Sequence, residues 1–388
     1  MKWIKTIITS LTLLFVFGTY AVAHYIFKKR EKESYEVFFQ KEEKIAREVI
    51  GSTFVSNTIE PNLNQERIKV LVVEGGGAKG LYALRILNYL EKRTGKPISE
   101  LYDVMGGTSI GSLLVSLLST PKDGKPKFTA REILDVFSSV AHSTLNPSFG
   151  RKLLTGFGIL SPILNNQKYI QKLEEVYGHI RLSETLNHLI LYGFNYNSNK
   201  LIAFDNRGSP LNYADPLLYQ LIGGTTSPWG FAPPNRLIFN YEHNPQYIGD
   251  AALVLNSPLF AIILEVSKIY PNKKLLITHI TLSPKELEYT TDFNYFEGSA
   301  IALKYLRTFI GEARNQLIRH WIDILSETTI YKFDNLLEVG INQNNEWSNI
   351  DSLDFSDRNL KKIDKFARHI LNVNKEALDA VASELMND

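Results

Sequence analysis

The chain has 388 residues, of which 44% are hydrophobic and 22% charged, and its formal net charge is +2. This composition is typical of a globular protein rather than a disordered one, and the length allows one large domain or two ordinary ones. The small net charge, without a long basic stripe, argues against a nucleic-acid partner. The absence of cysteine excludes disulfides, thiolate catalysis and cysteine-ligated metal sites.

An apolar run from Thr6 to Phe27 opens the chain. As a helix it would measure roughly 33 Å, against roughly 30 Å for the hydrocarbon core of a bilayer. The basic cluster Lys28-Lys29-Arg30 follows it directly, which opposes export. We therefore favour a single-pass anchor, a membrane-associated protein and a cytosolic catalytic domain. The alternative is a signal peptide cleaved near Ala23, which would make the protein secreted.

The composition along the chain divides it into four predicted segments. Residues 1–30 are the anchor or signal sequence, and residues 31–66 are a charged, helix-prone stalk. Residues 67–295 form the predicted catalytic domain. Residues 296–388 form a C-terminal helical layer or a small subdomain.

Alternating strand and helix patterns open the catalytic domain. The β-branched run at 68–74 predicts a buried strand, and apolar residues at helical spacing predict a helix over 81–90. A second strand is predicted over 101–105 and a second helix over 110–118. Strand, helix, strand and helix at this spacing predict parallel strands joined by right-handed crossovers, which is an α/β sandwich.

The rest of the chain first continues this alternation and then becomes helical. Beyond about residue 295 the apolar spacing is helical to the end, which predicts a covering layer rather than more sheet. The remaining predicted strands are 189–195, 200–205 and 274–282. The remaining predicted helices are 211–225, 259–268, 300–325, 358–371 and 375–386.

The pentapeptide Gly107-Thr108-Ser109-Ile110-Gly111 has the G-x-S-x-G form of a nucleophile elbow. An elbow of this kind lies between a strand and a helix, because the sharp turn then projects the serine hydroxyl outward. The strand predicted over 101–105 and the helix predicted over 110–118 provide that context. Ser109 is therefore the candidate nucleophile, and Gly107 and Gly111 allow the strained turn.

A glycine loop, residues 75–80, lies between the first predicted strand and its helix. Glycines in this position let backbone N–H groups point at an anion. In an acyl hydrolase that anion is the oxyanion of the tetrahedral intermediate, so Gly75, Gly76, Gly77 and Lys79 are candidates for an oxyanion hole. Lys79 would add positive potential there. Alternatively, it is a solvated surface lysine.

The same loop also matches the dinucleotide-binding pattern G-x-G-x-x-G. A nicotinamide-nucleotide oxidoreductase would need an acidic residue at the end of the second strand to bind a ribose. Asp103 has a suitable separation from the loop but falls within the predicted strand, and the elbow occupies the strand end. The oxidoreductase is therefore the weaker alternative.

The histidines suggest no Ser-His-Asp triad. His279 falls in a predicted strand, and His320 and His369 fall in predicted helices, so all three are interpreted as structural. His243 lies in a loop but precedes any suitable acid. The residues by themselves leave the base that would activate Ser109 unassigned.

Together, these motifs resemble the patatin-like phospholipases, a family with G-G-G-x-[KR]-G, G-x-S-x-G and D-G-[GA] in this order. The third motif is matched by Asp250-Ala251-Ala252. Asn256-Ser257-Pro258 resembles the N-N-P of that family, and residues 226–234 resemble its S-A-x-P…P-P segment. The similarity covers roughly residues 68 to 283. It implies an α/β fold, a three-layer α/β/α sandwich with a mostly parallel central sheet, to which the C-terminal helices and the N-terminal transmembrane segment are added.

The resemblance implies a Ser–Asp dyad in which Asp250 is the general base for Ser109. The expected function is a phospholipase A or lysophospholipase that cleaves glycerophospholipids, or other glycerolipids, through an acyl-Ser109 intermediate. No metal or other cofactor is expected, since no calcium loop is present. A neutral-lipid or small-ester esterase, or a catalytically impaired lipid-binding protein, remain alternatives. Ala251 replaces the usual glycine and would tilt Asp250 if the backbone there required positive φ.

Residues 146–162 are largely apolar, with several glycines and prolines. One interpretation is a flap or membrane-facing loop near the acyl site. The other is a segment packed beneath the C-terminal helices.

Overall fold

The computed structural model describes residues 2–50, 66–207, 215–238, 244–284, 328–335 and 350–387. Strands and helices alternate through most of the chain, as in α/β proteins. The strands are β1 (Arg67–Val73), β2 (Val104–Thr108), β3 (Pro121–Lys122), β4 (Lys125–Pro126), β5 (His188–Asn195), β6 (Lys200–Asp205), β7 (Asn235–Leu237), β8 (Gln246–Asp250), β9 (Lys274–Pro284) and β10 (Thr328–Asn335). The helices are α1 (Lys2–Ile50), α2 (Gly80–Thr94), α3 (Ile98–Leu101), α4 (Ile110–Leu118), α5 (Ala130–Leu145), α6 (Phe149–Leu154), α7 (Gln167–Tyr177), α8 (Leu218–Thr225), α9 (Leu259–Ile269), α10 (Asp357–Val373) and α11 (Lys375–Met386).

One eight-stranded sheet forms the centre of the described structure, in the order β10-β9-β1-β2-β5-β8-β7, with β6 also paired to β5. The pairings from β10 to β5 are all parallel. The pairings of β6, β8 and β7 at the other edge are antiparallel. The expected α/β fold with a mostly parallel central sheet is confirmed.

Helices cover both faces of this sheet. Leu71 and Val73 of β1 belong to the larger hydrophobic cluster, which includes buried residues of α2, α4 and α8. Ile68, Val70 and Val72 point the other way and pack with α9 in a smaller cluster. Successive side chains of a strand point to opposite faces, so a strand that is covered on both sides has an uninterrupted apolar sequence.

The C-terminal segment differs from the expected helical layer. The helices predicted over 358–371 and 375–386 correspond to α10 and α11, but β10 is a strand that pairs in parallel with β9 at the sheet edge. An all-helical pattern beyond residue 295 is therefore wrong. The partner that pairs with β10 lies more than forty residues earlier in the chain, and only the tertiary structure supplies it. The helix predicted over 300–325 lies outside the described residues.

Two predicted boundaries also shift. Leu101 lies in the short helix α3, so β2 begins at Val104 rather than at residue 101. Both stretches are apolar and buried, and a short apolar run does not by itself distinguish helix from strand. Helix α8 begins at Leu218, later than the predicted start at residue 211; residues 208–214 lie outside the described part of the chain.

Helix α1 is continuous through the expected anchor and through most of the expected stalk. Its C-terminal half packs on the domain that contains the sheet, where Phe38 and Phe39 are buried. Glu42 accepts hydrogen bonds from Tyr219 Oη at 2.6 Å and from Gln220 Nε2 at 3.0 Å. Residues 31–47 therefore lie against this domain rather than standing off from it. The division into four segments stays a prediction.

The expected membrane segment from Thr6 to Phe27 is only partly described. The side chains of residues 6–11 and of residue 14 lie outside the described part of the chain. Among the helices that the structure does describe, none is both long and apolar enough to span a bilayer. The anchor stays a prediction.

The carboxyl group of Glu42 is buried between α1 and the domain that contains the sheet. Burial raises the pKa of Glu42 and outweighs its hydrogen bonds from Tyr219 and Gln220, which lower the pKa. A carboxyl group whose pKa is higher in the folded chain stabilises the fold below its unfolded pKa, and the contribution is lost as the pH rises through the folded pKa. We expect Glu42→Gln to be more stable relative to the parent at pH 8 than at pH 4.

Thermal unfolding of the full chain at several pH values measures this difference. Glu33→Gln, an exposed position on the same helix, is the control for loss of a carboxyl charge from α1. A difference between Glu42→Gln and the parent that stays constant with pH would contradict the expectation.

Candidate active site

Strand β5 determines where Ser109 and Asp250 meet. β2 runs along β5 and ends with Thr108 opposite Tyr192, while β8 runs in the opposite direction and ends with Asp250 opposite Gly193. β6 occupies the other side of β5, so the ends of β2 and β8 face each other along one edge. The Ser109 Oγ atom donates a hydrogen bond to Asp250 Oδ2 across this junction.

Ser109 has a strained backbone, as an elbow requires. Its φ is 55° and its ψ is −124°, at the junction between β2 and α4. A non-glycine residue rarely has positive φ, and such strain occurs mostly at functional sites. The turn is also tight: a Cβ atom on Gly111 would lie 2.1 Å from the carbonyl oxygen of Val73. Only glycine fits there, and Gly107 meets a similar obstruction from Gly111.

Asp250 is buried and is held by two backbone hydrogen bonds. Its Oδ1 accepts one from the amide of Ala252 at 2.7 Å, and its own amide donates to Ser227 O at 3.0 Å. Ala251 is not among the described residues with positive φ, and its methyl group is buried in the smaller hydrophobic cluster. The condition under which Ala251 would tilt the carboxylate is therefore not met.

A chain of hydrogen bonds connects Asp250 with α1. Asn166 Nδ2 donates to Ser227 Oγ at 3.1 Å and to Pro233 O at 2.9 Å. Tyr35 Oη on α1 donates to Asn166 Oδ1 at 3.0 Å and accepts from the Asn166 amide at 3.0 Å. Since Ser227 also accepts the hydrogen bond from the Asp250 amide, α1 supports the segment that positions the aspartate.

Two residues of the glycine loop border the cavity beside Ser109. The amides of Gly75 and Ala78 donate to carbonyl oxygens 3.1 Å and 2.8 Å away. For the amides of Gly76 and Gly77, the described residues provide no acceptor, and both glycines line the same cavity as Ser109. These two amides are available to an anion that forms beside the serine.

Lys79 and Gly75 do not line that cavity. The side chain of Lys79 is buried, so a solvated surface lysine is wrong, and its amide donates to Gly76 O at 3.1 Å. Of the four residues predicted for the oxyanion hole, the structure places only Gly76 and Gly77 at the cavity.

The cavity beside Ser109 has a volume of about 280 Å³. Its lining is mainly apolar with a few convergent polar groups, as in sites for small apolar ligands. Eight of the lining residues belong to none of the motifs, so sequence analysis missed them; they come from segments far apart in the chain. They are Leu145, Leu164, Asn166, Tyr169, Leu253, Ser352, Leu353 and Phe355.

Tyr169 is an ionisable residue in this lining that the motifs did not indicate. Burial raises the pKa of Tyr169 to about 12, and the negative charge of Asp250 adds to the effect. Its hydroxyl shares a hydrogen bond of 3.1 Å with Thr226 Oγ1. Tyr169 therefore stays neutral near pH 7.

His279 supports the glycine loop from beneath and does not line the cavity. Its Nε2 lies 3.2 Å from Glu74 Oε1 and 3.4 Å from Ser257 Oγ. Burial raises the pKa of Glu74, but the hydrogen bond and charge of His279 outweigh burial, and the pKa of Glu74 falls below its usual value. The buried pair fixes the residue directly before Gly75.

The remaining histidines that the structure describes give no alternative base. His369 is exposed on α10, whereas His243 and His320 lie outside the described residues. Within the described part of the chain, no histidine lines the cavity.

Asp103 does not serve a dinucleotide site. It lies before β2, at the N-terminal ends of the parallel strands, whereas the glycine loop follows the C-terminal end of β1. The carboxylate of Asp103 accepts a hydrogen bond from the Lys69 amide at 2.8 Å. A ribose bound near residues 75–80 would be out of its reach. Asp103 therefore cannot be the ribose-binding acid that the oxidoreductase alternative requires.

Comparison with known proteins agrees with the geometry of the site. Residues 71–262 match the family model described as patatin-like phospholipase. This part of the chain is a patatin-like phospholipase domain. The matched range contains the glycine loop, the elbow with Ser109, and Asp250. Helix α1 and the lining segment 352–355 lie outside it.

Individual relatives match the same region. Patatin-17 from Solanum cardiophyllum is 28% identical over 193 residues, which are 47% of this chain and 47% of that protein. Probable inactive patatin-3-Kuras 1 from Solanum tuberosum is 26% identical over 191 residues, which are 47% of this chain and 49% of that protein. The chain spans about half the length of the curated relatives it matches. The solved structure of VipD from Legionella pneumophila aligns with a TM-score of 0.36 and 14% identity, over 84% of this chain and 73% of that chain.

Alanine substitutions at Gly77 and Gly124 test how tightly segment 352–355 packs on the glycine loop of the patatin-like domain. Gly77 and Gly124 have φ of 53° and 74°. A Cβ atom on Gly77 would lie 2.1 Å from Ser352 O, whereas nothing lies within 4 Å of a Cβ atom on Gly124. We expect each alanine variant to lose about 1 kcal/mol for its positive φ. Gly77→Ala should lose more, because the backbone of segment 352–355 must shift.

Unfolding of the full-length variants by heat measures both losses. Gly124→Ala is the matched control, since it carries the conformational penalty without the clash. Equal losses would show that segment 352–355 does not pack against the loop.

Proposed function

We propose that the patatin-like domain is a lipid acyl hydrolase with Ser109 as nucleophile and Asp250 as general base. The hydrogen bond from Ser109 Oγ to Asp250 Oδ2, made at a strained strand-to-helix turn, carries this proposal. The proposed substrates are glycerophospholipids, cleaved as by a phospholipase A or a lysophospholipase.

In the first half of the proposed reaction, Ser109 Oγ attacks the ester carbonyl carbon while Asp250 accepts the hydroxyl proton. The carbonyl oxygen becomes an oxyanion, for which the amides of Gly76 and Gly77 are the donors. The tetrahedral intermediate then expels the alcohol part of the lipid, which takes the proton from Asp250. The product is an acyl-Ser109 ester.

In the second half, water attacks the acyl-Ser109 carbonyl and Asp250 accepts a proton from the water. The same two amides stabilise the second tetrahedral intermediate. Its collapse releases the fatty acid and returns the proton to Ser109.

Aspartate is a weak base for a serine hydroxyl, since its reference pKa is about 3.9. Much of the rate acceleration must therefore come from orientation and from oxyanion stabilisation. The hydrogen bond between the buried side chains of Ser109 and Asp250, within an apolar cavity, supports the contribution of orientation. Removal of a single oxyanion donor costs on the order of 3 kcal/mol of transition-state stabilisation, which indicates how much oxyanion stabilisation contributes to the rate.

Family membership alone does not establish catalysis, because one relative is named a probable inactive patatin. In this chain the two proposed catalytic side chains are in contact and the glycines at the cavity are present. This geometry favours an active hydrolase over a catalytically impaired lipid-binding protein. The apolar cavity supports an acyl chain as the bound group, and it also suits a neutral lipid or a small ester.

We also propose that the protein remains membrane-associated through α1. Tyr20 Oη donates a hydrogen bond to Leu153 O at 3.0 Å, and His24 Nδ1 donates one to Leu154 O at 2.9 Å. Cleavage near Ala23 would remove the first of these contacts. They therefore favour the retained helix over the secreted form.

Fatty-acid release by the full chain from mixed phospholipid vesicles, with EDTA present, tests the proposed reaction. We expect Ser109→Ala and Asp250→Asn to lower the rate by on the order of a thousandfold or more. Ser139→Ala and Asp135→Asn, exposed positions on α5, should retain the parental rate. A fluorophosphonate should label the parent covalently and leave Ser109→Ala unlabelled.

The outcomes separate the alternatives. An active Asp250→Asn variant would place the base elsewhere. A parent that cleaves triglyceride or a short ester but no phospholipid is a neutral-lipid or small-ester esterase. A folded parent that cleaves none of these and resists the fluorophosphonate is the impaired lipid-binding protein.

The link through Asn166 gives a separate prediction. Asn166→Ala removes the bridge between Tyr35 and Ser227, so Asp250 loses support for its position. We expect kcat of the folded variant to fall roughly ten- to hundredfold. The melting temperature should fall as well, because buried partners of Asn166 lose their hydrogen bonds. Asn165→Ala is the control, because Asn165 contacts α1 but not Ser227. If both variants lose the same activity, contact with α1 in general, rather than the bridge to Ser227, is what matters.

A further inference from the structure

Several large apolar side chains point into solvent, and one of them, Trp229, lines the cavity. Ile159 is 88% exposed, Phe149 72%, Trp229 67% and Phe157 58%. Leu153 and Leu160 are also exposed. We call these six residues the flap surface. Their exposure rules out packing beneath the C-terminal helices, and a continuous exposed apolar patch marks an interaction site.

The backbone of the flap is strained in a way that keeps one aromatic ring in solvent. Gly156, Phe157 and Gly158 are three consecutive residues with φ of 58°, 54° and 90°. A phenylalanine in this conformation costs about 1 kcal/mol or more. Burial of the ring does not offset this cost, since most of the ring surface is exposed. Strain without compensating packing points to a function for the projecting ring.

The flap surface is continuous with the cavity. A Cβ atom on Gly158 would lie 3.0 Å from Gly230 O, and the Leu164 amide donates to Phe231 O at 2.7 Å. Trp229 and Phe231, on either side of Gly230, line the cavity. A ligand that covers the flap surface therefore also covers the cavity mouth.

The flap surface is also fixed to α1. Besides the hydrogen bonds from Tyr20 and His24 to α6, Arg151 makes a 2.7 Å salt bridge with Glu31, and its guanidinium lies 5.3 Å from the ring centre of Phe27. These contacts fix the position of α6 along the axis of α1, beside residues 20–31.

Helix α1 changes character along its length. Before residue 27 its described side chains are mostly apolar and exposed, including Phe15, Phe17 and Val22. Lys28, Lys29 and Arg30 follow and are exposed too. An exposed apolar helix that ends in basic residues suits a bilayer that carries anionic lipid, because the cations lie at the phosphate level when the apolar part is in hydrocarbon.

The rise of a helix sets the depth of the flap relative to those cations. Tyr20, which contacts α6, precedes Lys28 by eight residues, or about 12 Å along the axis at 1.5 Å per residue. The contact with the flap therefore lies on the apolar side of the basic cluster. With the cations at the phosphates, the projecting side chains of the flap reach the hydrocarbon.

We propose that the flap surface and the exposed apolar side of α1 insert together into a phospholipid bilayer, so that the cavity of Ser109 opens directly onto the lipid layer. The choice of lipid rests on the proposed function. Insertion itself requires no catalysis and is tested separately. The enzyme then takes its substrate from the bilayer in which α1 is embedded, without passage of the lipid through water.

The absence of cysteine from the sequence allows a direct depth measurement. Single cysteines introduced as Phe157→Cys, Ile159→Cys and Lys96→Cys in full-length Ser109→Ala carry an environment-sensitive nitrobenzoxadiazole label. The protein is reconstituted in phosphatidylcholine vesicles that contain phosphatidylglycerol. Lys96 is exposed in the loop between α2 and α3, outside the flap surface, and is the control.

We expect labels at 157 and 159 to become brighter in vesicles and to be quenched by lipids with a doxyl group on the acyl chain. The label at 96 should stay accessible to aqueous iodide. Iodide access at all three positions in vesicles would overturn the proposal. Protection at 157 and 159 that appears only with protein dimers, and without doxyl quenching, would assign the surface to a second copy of the chain and would also overturn it.

A kinetic arm connects insertion with the proposed function. The double variant Phe157→Ser/Ile159→Ser should hydrolyse vesicle phospholipid at least tenfold more slowly while cleaving a short soluble ester at the parental rate. Equal rates on vesicles would overturn the role of the flap. If the parent hydrolyses neither substrate but the labels are quenched by doxyl lipid, the proposed function fails and the insertion stands.

Discussion

A one-residue step along β5 separates the partner of Thr108 from the partner of Asp250, and the candidate dyad depends on that step. The parallel strand β2 and the antiparallel strand β8 approach the same edge of β5 from opposite directions. The residue that follows β2 and the residue that ends β8 therefore meet. A shift of β8 by one residue would turn the carboxylate to the other face of the sheet.

The rest of the site is arranged around this junction by close backbone contacts. The elbow packs against the end of β1 so tightly that Gly111 has no room for a side chain. The glycine loop leaves the same strand end, and its Gly76 and Gly77 line the cavity beside Ser109. A buried Glu74–His279 pair fixes the start of this loop, and the backbone of Ser352 closes over Gly77. These contacts would hold the proposed oxyanion donors in place before any substrate arrives.

Helix α1 links the site to the surface on which we propose that it works. Its C-terminal half is buried against the domain and reaches Asp250 through Tyr35, Asn166 and Ser227. Its apolar half holds the flap beside the cavity mouth. One rigid element therefore sets both the position of the proposed base and the height of the apolar rim. A helix that enters a bilayer would align the cavity with it.

Local sequence determined much of the fold and the reactive centre. The alternation of buried strands and amphipathic helices predicts a mostly parallel sheet, and α4 has the bounds that its apolar spacing predicts. The elbow and the glycine loop are recognisable because a strained turn and a close backbone approach both require glycine. The glycines concerned are close together in the sequence and form a local motif. Asp250 came only from the resemblance, since an isolated aspartate carries no local signal.

The tertiary structure alone decided the rest. β10 was missed because its hydrogen-bonding partner is distant in the chain, and Lys79 proved buried because of what packs over it. The residues lining the cavity, the bridge through Asn166 and the contact of α1 with the flap join segments separated by up to hundreds of residues. Sequence spacing encodes which residues share a turn or a face of one element, but contacts between elements depend on how the whole chain packs.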